Sequence, residues 1–173
     1  AGRLSDRFGR KQVLVGGWLV AAPVPFLLMW APSWSWVLFA NALLGVSQGL
    51  TWSTTVIMKI DLAGAKDRGL AMGLNEFAGY FAVAGSALAT GYVAAHYGLR
   101  PQPFYLGVGF VAIGLALSAL VVKETHAHAR HEAKSHLGDA IQLSQRQVFL
   151  RTSLTDRNLS SVSQAGLVNN LND

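Results

Sequence analysis

Long apolar runs alternate with short polar gaps along this sequence. The runs cover residues 13–30, 36–60, 69–95 and 104–122. Each is long enough to cross about 30 Å of hydrocarbon as an α-helix. Pro23 and Pro25 fall inside the first run and predict a kink there, of the kind neighbouring helices accommodate in a bilayer. Trp30, Trp34 and Trp36 gather around the gap at 31–35, and Tyr97 within and Tyr105 just beyond the gap at 96–103 are its rim residues. Such rings favour the headgroup boundary, where one end is apolar and the other hydrogen-bonds. The pattern predicts an all-α, multi-pass transmembrane bundle with four helices between residues 13 and 124.

Composition agrees. Charged residues make up 13% of the 173 residues, about half of the roughly 25% usual in soluble domains. Hydrophobic residues reach 51%, and the mean hydropathy is +0.34. The absence of cysteine removes a disulfide framework and a thiolate metal site. An isoelectric point near 9.9 raises the question of nucleic acid. The cations, however, sit in the gaps between apolar runs instead of forming one stripe, which is membrane topology and not a phosphate-binding face.

Charge also orients the runs. Gaps on the side of residues 1–12 hold Arg3, Arg7, Arg10, Lys11, Lys59, Lys66, Arg68 and Lys123, and the opposite gaps hold only Arg100. The positive-inside rule then places residues 1–12 and the C-terminal tail in the cytoplasm of a cell-membrane protein. Residues 125–158 read as a polar, His-rich cytoplasmic loop. It ends in a short amphipathic helix whose start is marked by the capping-box spacing of Ser144 and Gln147. Residues 159–173 read as the start of a further helix. The first residue is Ala and the last helical pattern is unfinished, so the chain reads as a fragment.

One stretch carries a specific motif. Gly2, Asp6, Arg7, Gly9, Arg10 and Lys11 follow the order Gly, three residues, Asp, Arg, one residue, Gly, Arg, Lys, directly before an apolar run. The physical expectation is a tight, basic turn at the water side of a membrane. The pattern resembles the signature loop between the second and third helices of major facilitator superfamily transporters. The resemblance implies a twelve-helix parent, of which this chain holds the third to sixth helices and the opening of the seventh. It implies alternating-access transport of a small solute, coupled to an ion, with no catalysis and no cofactor. The implied partners are a small-molecule substrate, H+ as a coupling ion, the lipid bilayer and the remaining half of the same transporter. Nucleic acid is not among them. In the family the acid matching Asp6 latches the two halves. Asp61 and Arg68 resemble a second charge pattern that couples to this loop; solvated loop charges are the alternative.

Candidate contacts lie within the runs. Glu76 stands eight residues past Arg68, about 12 Å along a helix. It shares a stripe with Gly69, Gly73, Tyr80, Ala87 and Gly91, and small residues predict a helix contact. Glu76 is therefore expected to face the bundle or its cavity, as a proton carrier or substrate contact. A structural hydrogen bond near Asn75 is the other reading. Asn41, Gly45, Gln48 and Thr55 share a face, read either as polar glue between helices or as a cavity wall. The family often has an Arg four residues before a Gly in the fourth helix, tied to proton coupling. Here that position is Asn41, so the resemblance does not carry such coupling through this helix. Residues 85–91 stand where antiporter branches carry a Gly-Pro signature; Ser86 replaces the proline, which supports helix packing and no direction of transport.

Other patterns lead elsewhere. Residues 45–49, Gly-Val-Ser-Gln-Gly, match a nucleophile elbow, a motif that requires a strand–turn–helix setting. His126, His128, His131 and His136 are irregularly spaced and read as a solvated tract. Gly107, Gly109 and Gly114 fit helix packing, not a dinucleotide loop. Asn169, Asn170, Asn172 and Asp173 read as a cytoplasmic helix end. No catalytic or metal-ligating set is predicted. The competing function is a non-transporting polytopic scaffold or partner-binding subunit.

Overall fold

The computed structural model describes residues 2–125, 144–162 and 164. The chain divides into two units, Ala1–Lys134 and Ser135–Asp173.

The first unit opens with α1 (Gly2–Phe8), followed by α2 (Arg10–Ala21). The turn expected over residues 2–11 is thus two helices joined by one hinge residue. Residues 3–8 contain no helix breaker, so the change of direction concentrates at Gly9. Its φ of +97° lies where a residue with a Cβ is strained. After Ala21 the proline pair acts as expected. Pro23 cannot continue the preceding turn, and α3 (Val24–Met29) restarts with Pro25 in its first turn, where a missing N–H does no harm.

α4 (Trp34–Tyr97) is helical over 64 residues. Straight, it would reach about 96 Å. It does not run straight. Arg100, beyond one end, donates to the Ala31 carbonyl beyond the other at 3.4 Å. Within it, Lys59 Nζ donates to Asn75 Oδ1 at 2.6 Å, and the Trp52 ring lies over Gly79. The element therefore doubles back near residues 65–67, inside the charged stretch. The expected non-helical gap between residues 60 and 69 is not seen. Leu62, Ala63, Lys66 and Arg68 favour helix and no proline intervenes, so the backbone stays helical up to the reversal.

The near arm of α4 lies along α2. Its buried stripe is Ala40, Ser47, Thr54 and Asp61, spaced by seven, with Met58 beside them. A Cβ added to Gly17 would stand 2.7 Å from Thr51 Cγ2 and 3.0 Å from Leu50 Cβ, so α2 and α4 meet there with nothing between them. α5 (Gln102–Ala116) returns against α2, α3 and α4 and ends in a single π turn, π1 (Leu117–Val121).

The second unit holds α6 (Gln145–Leu150) and a π turn, π2 (Arg151–Thr155). Ser144 and Gln147 form the capping box that their spacing suggests. Asp156 Oδ1 then accepts from the Asn158 and Leu159 amides at 3.0 and 3.1 Å, capping the next helical stretch. The histidines at 126–136 and the polar group at 169–173 lie outside the described residues.

The distribution of apolar side chains is inverted relative to a water-soluble domain. Among the described residues the buried hydrophobic set is Val13, Leu14, Ala21, Val24, Met29, Ala40 and Met58. Leu70, Phe77, Phe81, Leu88 and Leu120 are between 67% and 82% exposed. A surface this apolar fits lipid, not water. Among the described residues three helices are long and apolar enough to cross a membrane: Arg10–Met29, Lys66–Tyr97 and Gln102–Val121. Residues 36–60, expected as a fourth, are diluted by Asn41, Ser47, Gln48, Thr51, Ser53, Thr54 and Thr55.

The close approach at Gly17 can be checked by pairing it with its neighbour. Gly16→Ala, which meets open space, should be neutral or stabilising by up to about 1 kcal/mol through helix propensity. Gly17→Ala should lose about 1–3 kcal/mol through overpacking. Thermal unfolding in detergent reads both.

Candidate functional site

At the basic end of the first unit one guanidinium joins three parts of the chain. Arg10 Nε donates to Asp61 Oδ2 at 3.0 Å, and Nη1 donates to Ser5 Oγ at 2.8 Å and to Asp6 Oδ1 at 2.5 Å. Thr125 Oγ1 donates to the same Asp61 oxygen at 3.2 Å. Ser5, Arg10, Asp61 and Thr125 are all buried, while the Asp6 side chain is 63% exposed. α1 thus brings Ser5 and Asp6, α2 brings Arg10, α4 brings Asp61, and the segment after π1 brings Thr125. Charges taken out of water are retained only when paired and hydrogen-bonded, and the Arg10–Asp61 pair meets both conditions.

A second carboxylate secures the same corner. The first N–H groups of a helix have no acceptor within it, and Gly9 has no side chain to offer α2. Glu124 fills the place from the far end of the unit. Its Oε1 accepts from the Arg10 amide at 2.9 Å and its Oε2 from the Lys11 amide at 3.0 Å. Thr125 N also donates to Oε1 at 3.0 Å. A carboxylate here is favoured further by the helix dipole. A Cβ on residue 9 would stand 2.7 Å from Glu124 Oε2, so glycine is required by space as well as by φ.

The structure sorts the residues singled out from the sequence. Gly9, Arg10, Asp6 and Asp61 converge. Gly2 joins them through its carbonyl, which accepts from Ser5 Oγ at 2.8 Å. Lys11 contributes its amide. Arg7 is exposed, its guanidinium 5.4 Å from the Phe8 ring centroid. The Asp61 carboxylate is taken up by Arg10 and Thr125 across elements. Arg68 lies half-buried one residue past the reversal of α4.

The intramembrane candidates sit differently from expectation. Glu76 is exposed, as are Gly69, Gly73, Tyr80, Ala87 and Gly91. The inward stripe of that arm is rotated by one residue and runs through Arg68, Met72, Asn75 and Gly79. Asn75 is 3% exposed; it accepts from Lys59 and donates to Glu76 Oε1 at 3.3 Å. Small residues misled the reading because Gly69 and Gly73 have no neighbour within 4 Å. The same holds for Gly85 and Gly91, neither of which meets a neighbour among the described residues. Asn41 is exposed and donates to the Val37 carbonyl at 2.9 Å; Gln48 is exposed. Ser47 of the elbow-like pentapeptide lies within continuous helix and is buried.

Sequence reasoning missed Ser5, Glu124, Thr125 and the Lys59–Asn75 bond. Glu124 had a usable signal. An even number of crossings separates it from Arg10, which puts both at the basic end, where α2 needs a cap.

Glu124→Ala is expected to destabilise by about 1–2 kcal/mol through loss of the cap, with Glu124→Gln recovering part of it. Gly9→Ala should cost more than either, because it strains the backbone and displaces the carboxylate together. Thermal unfolding of the three variants in one detergent gives the order.

Comparison with known proteins follows the same motif. The family model described as Major Facilitator Superfamily matches residues 1–167. Multidrug resistance protein 2 of Bacillus subtilis (strain 168) is 29% identical over 145 residues, covering 79% of this chain and 34% of that relative. The chain therefore spans about a third of the length of the curated relative it matches. No solved structure matches. Given the match over nearly its full length, the apolar helices and the signature residues gathered around Arg10, this chain belongs to the major facilitator superfamily of multi-pass membrane transporters.

Proposed function

We propose that this chain forms the third-to-sixth-helix part of a secondary transporter that moves a small solute by alternating access, driven by an ion gradient with H+ as the first ion to test. In this reading the protein carries its substrate and does not transform it, and it lies in the cell membrane with residues 1–12 and the C-terminal tail in the cytoplasm. The name of the Bacillus subtilis relative makes drug-like organic molecules the first substrates to test.

The observation that carries the reading is the state of Asp6. Arg10 is held from Asp61 and Ser5, which anchors residues 2–11 to α4, yet Asp6 keeps most of its side chain exposed. That leaves its carboxylate accessible to a group from the remaining half of the transporter, such as a helix N-terminus. The Arg10 cluster then acts as the fixed side of a latch and Asp6 as its moving contact. Arg7, Lys11 and Arg68 give that end its positive field. Asn41, Gln48 and Glu76 support the same reading. An acid facing lipid is costly, and all three are left uncovered by this chain's helices. A second half, or a water-filled path between halves, would cover them and give them substrate or proton contacts.

The test uses the complete transporter that carries this chain, in proteoliposomes with an imposed pH gradient. Glu76→Gln should reduce gradient-driven uptake at least about tenfold and flatten its pH profile, while Asn41→Ala and Gln48→Ala should change KM more than kcat. Unchanged uptake and pH profile in Glu76→Gln would remove the proton role. Tags at Pro32 and Lys66 should report opposite compartments; the same compartment for both would overturn the topology.

A further inference from the structure

A cavity of about 1010 Å³ lies inside the first unit, bounded by α2, both arms of α4, α5 and π1. Its size is at the upper end of small-molecule sites, which run from about 300 to 1,000 Å³. Asn41, Gln48 and Glu76 do not line it, although Asn75, which does, donates to Glu76 Oε1 at 3.3 Å.

Its two ends differ chemically. One end carries Trp18 and Trp52. Each indole is seated over a glycine, Trp18 over Gly114 and Trp52 over Gly79, which sets the rings into the walls and leaves the space between the helices open. The end nearer the signature residues carries Lys59, Lys123 and Glu124. Trp52 to Lys59 is seven residues of helix, so roughly 10 Å separate the aromatic wall from the charged rim.

The charges at the rim are not balanced toward an incoming ligand. The Glu124 carboxylate already accepts from the amides of Arg10, Lys11 and Thr125. Among the described residues Lys59 Nζ makes one bond, to Asn75, and an ammonium has three donors. Lys123 is exposed. Two ammonium groups thus face one carboxylate that is already engaged.

We infer that this cavity binds an amphipathic monoanion, whose alkyl or aryl body lies between Trp18 and Trp52 and whose acid group is held by Lys59. The Lys59–Asn75 bond fixes the ammonium at the rim, so the head is bound by a pre-placed donor. A free organic acid from the aqueous side and an anionic lipid from the bilayer share this chemistry. The site does not depend on the transport reading.

Tryptophan quenching by brominated acyl chains tests it. The chain has five tryptophans, and replacing Trp30, Trp34 and Trp36 by Phe leaves the two in the cavity wall. This variant is placed in phosphatidylcholine nanodiscs and titrated with 9,10-dibromostearate, with its methyl ester, and with a dibromo-acyl phosphatidylglycerol. Saturable quenching by dibromostearate but not by the ester is expected. Lys59→Gln, which keeps a donor for Asn75 and loses the charge, should raise the half-saturating concentration about tenfold. Thr55→Phe, which fills the cavity from its wall, should abolish the saturable phase, with circular dichroism confirming retained helix in both variants. Quenching by the acid alone assigns an aqueous source, and quenching by the phosphatidylglycerol as well assigns the bilayer. Equal quenching by acid and ester, insensitivity to Lys59→Gln, or no saturable phase with any probe would overturn the inference.

Discussion

A buried guanidinium has to be surrounded by acceptors, and that requirement shapes the basic end of this protein. Arg10 is 7% exposed, at the first residue of a membrane-length helix. Its side chain is matched by Asp61, Asp6 and Ser5, and its backbone amide by Glu124. These partners come from α1, α4 and the end of the fourth apolar run, so a single residue ties the chain's beginning to its middle and its end. The cost of stripping water from the buried charges is offset chiefly by the Arg10–Asp61 pair and its hydrogen bonds. Gly9 follows from the same requirement, because the carboxylate that caps α2 occupies the space where a side chain would be.

That constraint also explains why the apolar helices can be so sparsely packed against one another. Few hydrophobic residues are buried within the chain, and much of the far arm of α4 is uncovered. In lipid, apolar surface has no drive to hide from its surroundings, and helix association rests on close packing and polar contacts. Here those contacts are Gly17 against Thr51, Trp52 over Gly79, Lys59 to Asn75 and the Arg10 cluster. Glu76, Gln48 and Asn41 face outward from this chain's helices, and such groups are costly against lipid tails.

Much of this was legible from residue order. Run length revealed the membrane helices, the proline pair the break between α2 and α3, the Ser144/Gln147 spacing the start of α6, and the six signature positions the family. Helix rotation was not legible. The glycines of the stripe through Glu76 suggest an inward face, and within this chain burial follows Asn75 instead, one position and about 100° away. Small residues report where a close contact is sterically allowed; which face meets a neighbour depends on where that neighbour lies. Residue order suggested that Asp61 couples to the signature loop, but not that Arg10 is the atom-level contact. The contact arises because the near arm of α4 packs along α2, which sets Asp61 beside Arg10. Residues 36–60 are helical throughout, but their Ser, Thr, Asn and Gln content makes them less apolar than the other three runs.

The account stands most directly on the coupling between Arg10 and Asp61. A double-mutant cycle with Arg10→Gln and Asp61→Asn, read by thermal unfolding in detergent, measures it. The account predicts that either single change destabilises strongly and that the pair together costs at least about 2 kcal/mol less than their sum, because the second change relieves the uncompensated charge left by the first. Effects that add to within about 0.5 kcal/mol would contradict it, since they would mean that the guanidinium and the carboxylate do not depend on each other in the folded protein.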